Sequence, residues 1–454
     1  MPVDLSRPQR IHEIGIGGAA MGAMASVLTE MGHVVTGSDL KASAVTDRLL
    51  AHGIAIAIGH DAANLGDVDL VAVSTDIPEA NVEVQAARAR GIPVVRRAEL
   101  LAGVCATRRT IAVSGTHGKT TTSSMLALVL VEAGLRPSFV IGGDVNEIGT
   151  GAVWDDGELF VVEADESDGT FNELGASGVV VTSVEPDHLD FYGTLGAIEI
   201  AFSQFLSAAP GPRVVCADEP NAARLGAAVG ATTYGTAEEA DYRIVDIELG
   251  RASSTFAVHH RGKPLGILRL PVPGLHNARN ATAALAMGLA VGATFDHAAA
   301  ALSRYGGVAR RFQFRGEAGG VTVVDDYAHN PGKVRAVLAA AAAGGWRSVV
   351  CVFQPHRYSR IATQWEEFGD AFGDADLIVV TDVFGNNEAP RPGVSGKLIV
   401  NAVLDYDPSS RVAYIPGRAD LAGYLRTVLR SGDLCLTLGA GDITLLADEL
   451  LAPV

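Results

Sequence analysis

Thr110-Ile111-Ala112-Val113-Ser114-Gly115-Thr116-His117-Gly118-Lys119-Thr120-Thr121-Thr122 is the stretch on which the fold turns. A short apolar run of buried-strand character enters a glycine-punctuated turn. A helix-like stretch follows as far as Leu130 and stops near Gly134. Strand, glycine turn, Lys-Thr and helix make the context in which a phosphate loop is credible. The glycines let backbone N–H groups converge on one concavity, and the positive end of the following helix adds to its attraction for phosphate. Gly115, Thr116, His117, Gly118, Lys119, Thr120 and Thr121 are therefore the candidate nucleotide-binding residues. Lys119 is placed to neutralise the β- and γ-phosphates, and the Thr120 hydroxyl to bind Mg²⁺. The plainer alternative is a glycine turn that caps an ordinary helix. Lysine is scarce in this chain, five of the 35 basic residues, so its presence here is not background.

Upstream, Ile11–Ile14 reads as a strand, followed by Gly15-Ile16-Gly17-Gly18-Ala19-Ala20 and a helix-like stretch to Met31. His33–Asp39 then closes a βαβ unit with a GxGxxA turn and an acid at the end of its second strand. Leu70–Val73 and Pro93–Val95 read as further strands, and Asn81–Arg90 as a helix. Downstream, Leu159–Glu163 and Val179–Ser183 are strand-like, each followed by polar residues. Val321–Val324, Ser348–Phe353, Leu377–Val380 and Leu434–Leu438 continue the series. Short apolar runs alternating with helical stretches imply mostly parallel, doubly wound sheets, with ligands at the carboxyl ends of the strands. A length of 454 residues exceeds one core. The chain divides into α/β segments at 1–106, 107–313 and 314–454.

Composition is globular, with 48% hydrophobic and 19% charged residues. A net charge of −17 argues against nucleic acid as the main partner. No apolar run reaches the roughly 18 residues needed to cross a bilayer, and Arg7, Arg10, His12 and Glu13 interrupt any secretory h-region. Cys105, Cys216, Cys351 and Cys435 are scattered without a CxxC pair, which fits reduced thiols in a cytoplasm.

Other clusters carry chemistry. Glu163-Ala164-Asp165-Glu166-Ser167-Asp168 ends a strand with four acids, suited to a hard cation beside a nucleotide or, in the plainer reading, to a solvated loop. Glu185-Pro186-Asp187-His188 adds a His and carboxylates at the next strand end. His276-Asn277-Ala278-Arg279-Asn280 precedes an alanine-rich helix, where the amides can read an adenine edge or cap the helix. Asp325-Asp326-Tyr327-Ala328-His329-Asn330 and Gln354-Pro355-His356-Arg357-Tyr358-Ser359-Arg360 end two strands of the last segment. Either they clamp a carboxylate, which Arg grips bidentately, or they are ion-paired surface loops.

Taken in order, these motifs resemble the Mur ligase family, from Gly15 to the Leu438-Gly439-Ala440-Gly441-Asp442 stretch. The resemblance implies a Rossmann-like N-terminal domain for a UDP-sugar, a central phosphate-loop ATPase domain, and a Rossmann-like C-terminal domain for an amino acid. It implies ATP-driven amide formation that joins L-alanine to the lactyl carboxylate of UDP-N-acetylmuramate through an acyl phosphate, with domain closure shielding that intermediate. Thr120, Glu163 and His188 would hold Mg²⁺ or Mn²⁺. Asn277, Asn280, Arg311 and Asp326 would contact adenine, ribose or phosphate. Gly17, Gly18, Ser38, Asp39, His60 and Ser74 would surround the UDP moiety. Tyr327, His329, His356, Arg357 and Arg360 would form the amino-acid pocket, with Lys119, Glu163, His188 and His329 as the catalytic set. Ala20, Ser183 and Asn330 stand where the family usually has Gly, Asn and His. No carbamylated lysine is assigned, and the oligomeric state is not legible. Three rival readings remain open: an NAD-dependent oxidoreductase built on the first glycine turn, a murein-recycling ligase that takes a preformed peptide, and a UDP-sugar-binding regulator without turnover.

Overall fold

The computed structural model describes residues 3–386 and 388–452. It contains three sheets. The first orders its strands β3-β2-β1-β4-β5, from β1 (Arg10–Ile14), β2 (Val34–Asp39), β3 (Ala55–Ile58), β4 (Leu70–Val73) and β5 (Val94–Arg96). All pairs are parallel, and the order reverses beside β1, which puts a crevice at the carboxyl ends of β1 and β4. The helix Ala19–Glu30 covers one face by burying Met21, Met24, Val27 and Leu28. Ala20 lies in its first turn, exposed and without a positive φ, so alanine costs nothing there.

The second sheet holds β6 (Arg109–Ser114), β7 (Ser138–Val145), β8 (Thr150–Val153), β9 (Leu159–Glu163), β10 (Gly178–Val181), β11 (Arg213–Cys216), β12 (Thr232–Gly235), β13 (Tyr242–Leu249), β14 (Ser254–His260) and β15 (Lys263–Leu270). Their order is β15-β14-β13-β12-β11-β10-β6-β9-β7-β8. β6 pairs in parallel with both β9 and β10, so the phosphate-loop strand sits centrally. The helix Lys119–Glu132 is buried over most of its length, from Thr122 to Leu130. It therefore shows no solvent face over that stretch, and its Thr122, Ser123 and Ser124 are buried with its apolar residues. The strand expected at Val179–Ser183 ends at Val181, which leaves Thr182 and Ser183 in a loop. The strands β13 to β15 were not legible as strands. The helix Leu275–Ala290 already includes His276 and Asn277, so neither precedes it and neither Asn is its cap.

The third sheet runs β16-β17-β21-β18-β19-β20, from β16 (Gln313–Ala318), β17 (Val321–Asp326), β18 (Val349–Phe353), β19 (Leu377–Val380), β20 (Val412–Tyr414) and β21 (Leu434–Leu438). Only β16 is antiparallel, and it precedes β17, which contains Val321–Val324, the first strand read from sequence in this segment. By contact density the chain forms two compact units. One comprises residues 1–246, 256–268 and 279–305, and the other comprises 247–255, 269–278 and 306–454.

Candidate active site

The phosphate loop takes its shape from two glycines and from the loop after β10. Gly115 has φ +136°, and a Cβ there would lie 2.1 Å from the Thr182 hydroxyl. Gly118 precedes the helix at φ +80°, where a Cβ would meet Asn280 Oδ1 at 2.6 Å. Only glycine fits both conformation and space at these positions. Thr116 N donates to Ser183 O (3.1 Å) and His117 N to Ser183 Oγ (3.0 Å). Glu185 N donates to Thr116 Oγ1 (2.9 Å), the Thr182 hydroxyl donates to His117 O, and His117 Nε2 lies 3.1 Å from Glu185 Oε2. The phosphate loop and the segment that leads to His188 are thereby stitched together. Ser183 supplies two of those acceptors.

Lys119 Nζ lies 2.7 and 2.9 Å from the two Glu166 oxygens and donates to Gly115 O at 2.9 Å. Burial alone would lower the ammonium pKa, but the carboxylates of Glu166 and Asp165 outweigh it and leave it raised. Burial in turn raises Glu166 despite Lys119. Thr120 Oγ1 donates to Glu163 Oε1 at 2.9 Å, while Glu163 Oε2 accepts from Gly142 N at 2.7 Å. Asp165, Glu166 and His188 each offer a ligand atom within 4.8 Å of the others. His188 is held at φ +51°, an unusual conformation for a non-glycine residue. The three expected metal ligands thus fall into two groups, Thr120 with Glu163 and His188 with Asp165 and Glu166. The hydroxyl and carboxylate oxygens suit a hard divalent cation, with one imidazole beside them. Glu166 was visible in the acid run but was not singled out, because nothing local shows which acid meets the lysine. Asn280, buried at 7% exposure, accepts from the Thr122 hydroxyl at 3.2 Å. Its neighbour Arg279 pairs with Asp218 at 2.6 Å.

At the carboxyl edge of the first sheet, Gly17 N donates to Asp39 Oδ2 at 2.9 Å, which ties the glycine turn to the acid ending β2. Gly18 follows the same turn, its N–H donating to Gly15 O at 3.2 Å. Ser74 follows β4, its N–H donating to Ile14 O at 3.1 Å. Ser38 and His60 meet at 3.1 Å between Oγ and Nδ1. The sequence reading missed their common partner, Glu83, which is fully buried.

In the second unit, His329 Nδ1 lies 2.9 Å from Tyr327 O, and its ring meets Tyr327 and His356 edge-on at 5.2 and 5.6 Å. Burial, then Lys333 and Arg360, push His329 well below the ordinary histidine value. Burial and the same Arg360 hold His356 at about 4. Arg360 Nη1 donates to His356 Nδ1 at 3.3 Å. Arg357 is exposed at φ +65°, ahead of the helix Tyr358–Gln364. Tyr327, His329, His356 and Arg360 therefore form one cluster. Arg311 lies over the Tyr327 ring at 5.3 Å. Both Asp326 oxygens are engaged by backbone, from Phe312 N and Ala328 N at 2.7 Å each, and burial raises its pKa. Asn277 Nδ2 donates to Pro273 O at 2.7 Å.

Three family models match the chain in series. Residues 10–109 match the Mur ligase family catalytic domain, 113–288 the Mur ligase middle domain, and 310–441 the Mur ligase glutamate ligase domain. The chain is 45% identical over 452 residues to a UDP-N-acetylmuramate–L-alanine ligase of Pelotomaculum thermopropionicum, covering 98% of each. It is 44% identical to one of Rubrobacter xylanophilus, covering 98% of this chain and 99% of that one. Among solved structures, the UDP-N-acetylmuramate–alanine ligase of Thermotoga maritima superposes with a TM-score of 0.83 at 29% identity, covering 98% of both chains. A murein peptide ligase of Psychrobacter arcticus shares the fold, with a TM-score of 0.71 at 24% identity over 98% of both.

Proposed function

The chain belongs to the Mur ligase family, and from that premise we propose that it joins L-alanine to the lactyl carboxylate of UDP-N-acetylmuramate, with ATP cleaved to ADP and phosphate, in peptidoglycan precursor synthesis. The observation that carries the reading is end-to-end likeness, at 44–45% identity, to ligases that bear this name. The intact phosphate loop with Lys119 agrees with it. The proposed domains are 1–106 for the UDP-sugar, 107–313 for ATP and 314–454 for the amino acid, supported by the three sheets. Four buried free cysteines fit a cytoplasmic setting.

The lactyl carboxylate attacks the γ-phosphorus, ADP leaves, and an acyl phosphate forms. The alanine amine then attacks the acyl carbon and phosphate leaves. Lys119, exchanging Glu166 for the nucleotide, neutralises charge on the transferring phosphoryl group. The N–H groups of the loop and first helical turn that Ser183 does not engage, from Gly118 to Thr121, cradle the phosphates. Thr120, Glu163 and His188 would hold a Mg²⁺ or Mn²⁺ ion, which would supply further charge neutralisation. His329 donates through Nδ1 to the Tyr327 carbonyl and is neutral, so its Nε2 is free to take a proton from the incoming amine. Arg357 and Arg360 hold the alanine carboxylate.

The test is phosphate release from Mg-ATP with UDP-N-acetylmuramate, with and without L-alanine, beside Lys119→Ala. Release that needs both acceptor substrates and falls by at least about 100-fold in the variant is expected. Release with a tripeptide in preference to alanine would assign the peptide-recycling branch. No release with any acceptor would sink the ligase reading.

A further inference from the structure

A buried carboxylate with four donors lies beneath the edge of the first sheet. Glu83 is the second residue of the helix Val82–Ala89, whose start is capped by Asn81. Glu83 Oε1 accepts from Asp61 N at 3.0 Å and from Asn64 Nδ2 at 2.6 Å. Its Oε2 accepts from Ser38 Oγ at 2.5 Å and lies 3.4 Å from His12 Nε2. Burial disfavours the charge, but these hydrogen bonds prevail and hold the Glu83 pKa at about 2.

An ionised carboxylate only accepts, so proton positions propagate from it. The single Ser38 hydroxyl proton goes to Glu83. His60 Nδ1, 3.1 Å from Ser38 Oγ and 3.6 Å from Glu83 Oε2, must then be the donor of its pair. In neutral His60 this leaves Nε2 as a lone-pair acceptor. That atom is buried and lacks a hydrogen-bond partner, on a side chain only 10% exposed. It sits just past β3, at the carboxyl edge where ligands of such sheets bind. A buried acceptor left unpaired is costly, so it points to a group that is absent here.

We infer that Glu83 is a positioning residue of the UDP-sugar site: through Ser38 and by facing the ring directly, it holds His60 as the Nδ1–H tautomer, so that Nε2 selects a hydrogen-bond donor of the uridine moiety. This rests on the UDP-sugar reading above. The donor is either the uracil N3–H or a ribose hydroxyl, and analogues separate them.

The tautomer is read first, in ligand-free protein, from the imidazole ¹⁵N shifts, with the His60 signal identified by its loss in His60→Gln. An Nδ1–H pattern is expected. Glu83→Gln turns an amide N–H₂ toward Ser38, frees the hydroxyl proton for His60 Nδ1 and switches the pattern to Nε2–H. Ser38→Ala leaves Nδ1–H facing the carboxylate and keeps the wild-type pattern. A merely structural role would move neither signal in this divided way. An Nε2–H pattern in the wild type overturns the relay whether or not UDP binds. Calorimetric binding to the wild-type protein then compares UDP with N3-methyl-UDP, 2′-deoxy-UDP and 3′-deoxy-UDP. Loss on the order of tenfold with one analogue is expected and names the donor. Equal binding of all four overturns the selection while the UDP reading stands. Failure of UDP itself to bind overturns that reading and the selection with it.

Discussion

Ser183 shows how one side chain can matter without touching substrate. Its hydroxyl takes the His117 N–H and its carbonyl takes the Thr116 N–H, inside the loop expected to cradle phosphate. Ser183→Ala leaves a partly buried N–H donor without its acceptor, at a cost of about 1 kcal/mol. Its KM for ATP should rise roughly fivefold or more while that for UDP-N-acetylmuramate holds, and Ser183→Asn, the residue usual in the family, should restore it. Equal rises in both would show a general loss of structure instead. A second residue-scale expectation concerns His356, whose folded value of about 4 lies below its ordinary 6.5. Between those values the unfolded chain binds a proton that the folded chain does not. Stability therefore falls as pH drops from 6.5 toward 4. Thermal melts of His356→Gln across that window should show a shallower slope than the wild type. The residues named from sequence were mostly those with distinctive chemistry in a strand-end motif. Glu83 escaped, and Glu166 and Ser183 were noted without a role, because their importance lies in what they bond, and a Glu or Ser by itself announces no partner.

At the scale of elements, local signals were most dependable where they were chemical. Asn330-Pro331 starts the helix Pro331–Ala342, with Asn330 Oδ1 accepting from Lys333 N at 2.9 Å and Pro at the first helical position. The departure from the usual His is thus a working cap. Asn330→Ala should cost about 1 kcal/mol in urea unfolding. Unchanged stability would mean the cap is dispensable. Asn81 likewise opens the helix expected at Asn81–Arg90. Signals failed where an element takes its identity from a neighbour. β16 carries Gly316 and alternating exposure, and it is a strand because β17 pairs with it. Asn277, whose reading as a cap put it before the helix, lies inside it and donates its amide to the Pro273 carbonyl.

For the whole molecule, the two compact units imply unfolding that is not two-state. Scanning calorimetry should resolve more than one transition. UDP should raise the one belonging to the unit with the first sheet, since a ligand stabilises what it binds. A single transition with equal calorimetric and van't Hoff enthalpies would count against this. The sequence by itself determined the α/β class, most of the parallel strands, the phosphate loop, helix starts such as those at Asn81 and Asn330, and the order of the three segments. All of these are written in short windows, as periodicity, glycine placement and capping chemistry. Only the tertiary structure decided which acid meets Lys119, 47 positions away, which hydroxyl shapes the phosphate loop from 66 positions away, and which carboxylate sets the His60 tautomer through a serine 45 positions distant. The physical reason is that hydrogen bonds act over about 3 Å of space. Distance along the chain carries no record of them until parallel strands bring their carboxyl ends to one edge.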